Sequence, residues 1–180
     1  MLSKKLLIGR FILMVLFSGG VMGVVWLSRP PLTWEDVLWH ISQQYPTVQT
    51  MTRQELVEKI NGNQPPMLID ARTADEYATS HLPGALWAAQ WQAPSVKQPI
   101  VVYCSVGWRS AALCEQLQRA GYEQVWNLNG GIFAWANAHF SLEQAGRSVR
   151  IVHPYNARWG ELLDRKLHPI PTENESLEDE

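Results

Sequence analysis

The chain has 180 residues, with 15 basic and 17 acidic side chains and a formal net charge of −2. Once an apolar amino-terminal stretch is set aside, that length suits one domain with a real core, and no second catalytic domain is expected. Lys4, Lys5, Arg10 and Arg29 lie in or beside that stretch, so the remainder holds eleven basic against seventeen acidic side chains, a net −6. With no basic stripe and no basic–aromatic interleaving, this argues against nucleic acid as a partner.

In chain order, the first feature is Phe11 to Leu27, seventeen residues without a charge. At 1.5 Å per residue the run covers about 26 Å, and Leu6-Leu7-Ile8 add a turn, so residues 6–27 predict one transmembrane helix anchoring residues 1–29 in a membrane. A cleaved signal peptide is the rival, since Ser18, Gly19, Gly20 and Gly23 are small. The apolar run nevertheless continues through Val24-Val25-Trp26-Leu27, with no Ala-x-Ala site. Basic residues before the run outnumber those after it three to one, which predicts a cytoplasmic amino terminus and a domain outside the cytoplasm.

Pro30-Pro31 close that segment, and Thr33 can cap a helix through about Ser42 with Val37, Leu38 and Ile41 on one face, a spacer over residues 30–47. Thr52 to Glu55 is a capping box before Leu56, Val57 and Ile60, and Thr73 to Glu76 is a second. Apolar strands at Met67 to Ile69, Ile100 to Tyr103 and Gln124 to Leu128 alternate with the helices, the pattern of a parallel sheet covered on both faces. Such sheets bind ligands at the carboxyl ends of their strands.

Cys104 stands at one of those ends. The loop Ser105-Val106-Gly107-Trp108-Arg109 leads from it into a helix from Ser110 to Arg119, whose Ala111, Ala112, Leu113, Cys114 and Leu117 suit packing on a sheet. Strand, loop and helix start form an anion cradle, in which backbone N–H groups sit beside the positive end of a helix dipole. Helix N-termini and guanidinium groups favour thiolate over thiol, which makes Cys104 a candidate nucleophile. The plain alternative is a small buried hydrophobe. Cys114, the second of two cysteines, lies about 15 Å along the chain path, beyond the roughly 7 Å reach of a disulfide, and reads as core packing.

Cys104, Gly107 and Arg109, in a strand, Cys-x-x-Gly-x-Arg loop and helix, resemble the rhodanese homology domain, the single-domain sulfurtransferase family. Leu68-Ile69-Asp70-Ala71-Arg72, Glu76-Tyr77, His81-Leu82-Pro83-Gly84-Ala85 and Asn127-Leu128-Asn129-Gly130-Gly131-Ile132 with Trp135 follow the same family in order. The resemblance covers roughly Val48 to Ala138 and has Ser80 where the family usually has glycine. It implies a rhodanese-like three-layer α/β/α fold with a central parallel sheet over residues 48–140. It also implies a sulfurtransferase in which Cys104 takes sulfane sulfur from thiosulfate or a persulfide donor and yields it to a thiol or other nucleophile, such as a thioredoxin-like or other protein thiol.

In that reading Cys104 and Arg109 are catalytic, with Arg109 and the loop amides holding the negative charge of thiolate, persulfide and donor. Ser105, Val106, Gly107 and Trp108 are expected to bind the substrate, with Trp108 either lining the mouth or simply packing. Asp70 and Arg72 are expected to form a loop-supporting ion pair, and His81 to be a framework residue beside a turn. No cofactor or metal is expected: His40, His139, His153 and His168 show no ligand spacing. Gly130-Gly131 lacks the context of a phosphate loop and is expected to let backbone pass close to the Cys104 loop.

Residues 141–170 are expected to pack on the domain, because the stretch from Arg150 to Leu163 is too rich in large side chains for a linker; a partner-binding segment is the alternative. Residues 171–180 read as a disordered acidic tail. Two other functions compete. A thiol phosphatase of the same fold is one, though the four residues between Cys104 and Arg109 make the shorter, sulfurtransferase-type loop. A non-catalytic sulfide-sensing or scaffolding module is the other.

Overall fold

β-branched and aromatic residues fit a pleated sheet buried on both sides, and Ile100-Val101-Val102-Tyr103 occupies its centre with all four residues buried. The structure, a computed structural model, describes residues 11–18, 21–28, 30–92 and 97–170. It divides into two units, Met1–Pro31 and Leu32–Glu180.

The first unit corrects the sequence expectation. Instead of a transmembrane helix it holds two antiparallel strands, β1 (Phe11–Ser18) and β2 (Val21–Ser28), paired from Phe11↔Ser28 to Ser18↔Val21. Among the described residues, no helix is long and apolar enough to cross a membrane. Length and lack of charge do not separate helix from strand. Apolar runs of eight residues suit strands as well as a helix, and Gly23 weakens a helix. Residues 6–10 of the expected span, and the acidic tail at 171–180, lie outside the described residues.

The second unit is built on a parallel sheet of β3 (Thr50–Met51), β4 (Met67–Asp70), β5 (Leu86–Trp87), β6 (Ile100–Tyr103) and β7 (Val125–Leu128), in the order β3-β7-β6-β4-β5. Alternate β6 side chains enter two cores. Val101 and Tyr103 pack with Val37 and Ile41 of α1 (Trp34–Gln44), Leu56 of α2 (Arg53–Ile60), and Ile132 and Phe133 of α5 (Gly131–Asn137). Ile100 and Val102 pack with Cys114 and Leu117 of α4 (Trp108–Arg119). Thr52 and Thr73 close capping boxes with Glu55 and Glu76 at the starts of α2 and α3 (Ala74–Thr79).

Beyond α5 the chain forms a hairpin of β8 (Leu142–Gln144) and β9 (Arg147–Val149). Its turn residues Ala145 and Gly146 have φ of +48° and +74°, the geometry that matches strand twist in a two-residue loop. Two 3₁₀ turns follow, Trp159–Leu162 and Arg165–Leu167, and Leu162, Leu163 and Leu167 are buried in the larger core.

Candidate active site

Cys104 is the first residue after β6 and is almost wholly buried. Its Sγ accepts a 3.2 Å hydrogen bond from the Gly107 N–H. Gly107 caps α4 with φ +109°, a left-handed conformation that glycine adopts without a Cβ penalty. Asn127 at the end of β7 fixes that cap: its Nδ2 donates to the Gly107 carbonyl at 2.9 Å, and its Oδ1 accepts from Ser110 Oγ at 2.7 Å. The N–H groups of the first turn of α4 have no intrahelical acceptor, so the loop ends in unspent donors.

From the other side, α5 holds the loop backbone. The N–H groups of Ile132 and Phe133 donate to the carbonyls of Cys104 and Ser105 at 2.9 and 3.0 Å. A Cβ on Gly131, whose φ is +54°, would stand 2.2 Å from the Cys104 oxygen. Gly130-Gly131 thus supports the loop through close backbone approach.

Arg109 lines the same pocket as Cys104 and is at the same time engaged by a buried carboxylate. Nη1 and Nη2 donate to Oε2 and Oε1 of Glu76, each at 2.7 Å, and Nη2 also donates to Ser105 Oγ at 2.9 Å. Ser105 in turn donates to Glu76 Oε1 at 2.9 Å, and the Tyr155 ring covers the guanidinium at 4.8 Å. Burial pushes the Glu76 carboxyl up, but the hydrogen bonds of Arg109 and Thr73 and the Arg109 charge outweigh it and hold it at about 2. For Arg109, burial is overcome by Glu76 and by the negative charge of Cys104, so its affinity for the proton rises. The guanidinium therefore braces the loop through a buried carboxylate while its charge bears on Cys104. Sequence reasoning read Glu76 as a cap and missed this second role; the available signal was an acid that the fold buries, which requires a cation.

The supporting residues form a separate network. Arg72 binds Asp70 through Nε and Nη2, the latter at 2.6 Å, with both side chains fully buried, and also donates to the Ser80 carbonyl. His81 stacks on Tyr77 at 4.1 Å, with Nδ1 3.0 Å from the Tyr77 carbonyl and Nε2 3.2 Å from Glu143. These contacts shape the β4 end and the Leu82-Pro83-Gly84 turn. Cys114 is a free buried thiol whose pKa is pushed up by burial and by the charge of Cys104. Among the described residues, no group of three His, Cys, Asp or Glu side chains is arranged to hold a metal ion.

Cys104, Ser105, Val106, Trp108 and Arg109 line a pocket of about 210 Å³ together with Tyr155 and Trp159. Gly107 does not line it; its N–H points to Sγ. The last two walls come from the carboxyl-terminal extension and were missed as individual residues, although the aromatic density of that segment marked it as more than a linker.

Residues 52–138 match the family model described as Rhodanese-like domain. A sulfurtransferase of Allochromatium vinosum is 33% identical over 95 residues, covering 49% of this chain and 89% of that protein. The thiosulfate sulfurtransferase GlpE of Coxiella burnetii is 29% identical over 110 residues, covering 58% of this chain and 98% of that one. The crystal structure of the BH2092 protein from Bacillus halodurans shares the fold, with a TM-score of 0.51 at 18% identity over 71% of this chain and 97% of that one. The chain belongs to the rhodanese-like family.

Proposed function

We propose that the protein is a sulfurtransferase that carries sulfane sulfur as a Cys104 persulfide, taken from thiosulfate or a persulfide and passed to a thiol or other nucleophilic acceptor. The observation that carries this reading is the Cys104 Sγ held by the Gly107 N–H at the start of α4 and facing a pocket. Attack of the thiolate on the sulfane sulfur forms one S–S bond as the donor's own bond to that sulfur breaks. The cradle then holds a persulfide anion in place of a thiolate, and the same donors stabilise both. The acceptor thiolate attacks the outer sulfur and regenerates Cys104; a thioredoxin-like or other protein thiol fits that role.

The phosphatase reading is weaker on a specific ground. Only four residues separate Cys104 from Arg109, a shorter loop than the five-residue spacing of the thiol phosphatases of this fold, and so a narrower cradle for a phosphoryl group. Incubating the purified protein with thiosulfate or an alkyl persulfide, then measuring its mass, tests the proposal. One added sulfur on Cys104 is expected, and an unchanged mass with both donors overturns it.

The charge-free amino-terminal stretch with Lys4, Lys5 and Arg10 before it supports association with a membrane, with the domain outside the cytoplasm. A reporter active only outside the cytoplasm, fused after Glu180, should be active in the membrane fraction; activity of the cytoplasmic counterpart instead inverts the assignment.

A further inference from the structure

We propose that the pocket selects sulfane-sulfur donors bearing an apolar, ring-sized substituent over inorganic thiosulfate, with Tyr155 and Trp159 of the extension setting that preference. The proposal rests on the sulfurtransferase reading and names the donor class for the same site.

The first ground is charge. Arg109 is the one charged residue among those lining the pocket, and it is neutralised by Glu76 on one side and faced by the Tyr155 ring on another. Thiosulfate brings two negative charges toward a nucleophile that is itself negative. Taking such an ion out of water is costly unless its charge is met, and the one cation lining the pocket already shares its charge with Glu76. A donor with an organic group in place of one anionic oxygen halves that burden.

The second ground is the wall. Val106, Trp108, Tyr155 and Trp159 surround the opening beside Cys104. An apolar cavity of about 150 Å³ takes a benzene ring, so a pocket of about 210 Å³ holds the sulfane sulfur and a ring-sized group together. Aromatic faces receive such a group by offset or edge contact.

The third ground is backbone geometry. Tyr155 has φ +65°, a left-handed conformation in which a bulky side chain is an outlier. Its N–H is held by His153 Nδ1 at 3.0 Å. The ring is not packed into the core; it is 45% exposed, at the pocket mouth over Arg109. Strain of this kind persists where surroundings fix it and clusters at ligand-binding positions.

Benzenethiosulfonate is the probe, because it is thiosulfate with a phenyl group in place of one anionic oxygen. The Cys104 thiolate attacks its terminal sulfur, the bond to the sulfonyl sulfur breaks, and benzenesulfinate leaves with the electron pair. Thiosulfate reacts identically and releases sulfite. With cyanide as the common acceptor, the persulfide gives up its outer sulfur as thiocyanate and Cys104 returns as thiolate.

The measurement is kcat/KM for each donor in wild type, Tyr155→Gly, Tyr155→Phe and Trp159→Ala. Tyr155→Gly removes the ring and relieves the left-handed strain, so it carries the test even if Trp159→Ala folds poorly. The benzenethiosulfonate-to-thiosulfate ratio should fall at least about tenfold in Tyr155→Gly and Trp159→Ala, mostly through KM, and be retained in Tyr155→Phe. Exposed Trp39 on α1 supplies the control: Trp39→Ala should change neither donor. A ratio unchanged within about twofold in both wall variants, with Cys104 still loaded, overturns the inference and leaves the sulfurtransferase reading standing. Failure of both donors to load Cys104 overturns both.

Discussion

Glu76 and Arg109 meet fork to fork, with two 2.7 Å hydrogen bonds between residues 33 positions apart and the carboxylate side chain only 1% exposed. The carboxyl titrates at about 2 against an ordinary 4.5, so its charged form stabilises the fold above the ordinary value. That contribution is lost as pH falls from about 4.5 through 2. Glu76→Gln should therefore cost on the order of 3 kcal/mol at pH 7. Urea unfolding at pH 7, 4.5 and 3 should show the gap to wild type narrowing across that window, whereas parallel stability curves would assign the loss to packing.

Arg109→Lys keeps the charge but replaces a planar fork with a point donor and removes the flat face beneath Tyr155. As a positioning residue, Arg109 should affect kcat for every donor alike, by about 10-fold to 100-fold, with KM little changed. Steady-state kinetics with two donors read this directly. A rise in KM confined to anionic donors would show that the guanidinium binds the donor itself.

Cys104→Ser should gain no sulfur from any donor, because an alcohol does not supply a comparable nucleophile near neutral pH. The serine oxygen can still accept from the Gly107 N–H, so the unfolding midpoint should shift by no more than about 1 kcal/mol equivalent. Mass spectrometry and thermal unfolding check the two halves; sulfur loading that survives the substitution moves the nucleophile elsewhere.

Gly131→Ala and Gly84→Ala separate collision from backbone strain. Both glycines have positive φ, +54° and +71°, but a Cβ at Gly84 meets nothing within 4 Å while one at Gly131 would strike the Cys104 carbonyl. Gly84→Ala should cost about 1 to 2 kcal/mol of stability. Gly131→Ala should cost more and depress sulfur loading of Cys104, since the loop must shift. Equal effects in the two variants would show that the contact with the loop is unimportant.

The sequence makes local features plain. The strand at Ile100 to Tyr103, the capping boxes at Thr52 and Thr73, and the turn into α4 each depend on residues a few positions apart. Glu76 pairing with Arg109, and Tyr155 reaching the same guanidinium, depend on chain segments that only the folded sheet brings together. β3 and β5 are two residues each, too short for any periodicity, and exist because a neighbouring strand offers partners. The amino-terminal strands show the opposite case. Uniform apolarity there fits either period, so the length of the run does not separate helix from strand.

α5 holds the Cys104 loop by its carbonyls, and this settles the loop's polarity. In a trans peptide the N–H points opposite to the C=O, and no peptide bond among the described residues is cis. With the Cys104 and Ser105 oxygens turned to α5, the N–H groups of Ser105 and Val106 face away from it. A helix that lines no part of the pocket thereby decides which side of the loop repels anions and which attracts them. Reversing those two peptide planes would leave every side chain in the sequence unchanged and still convert the cradle from a host for negative sulfur into a ring of carbonyls hostile to it.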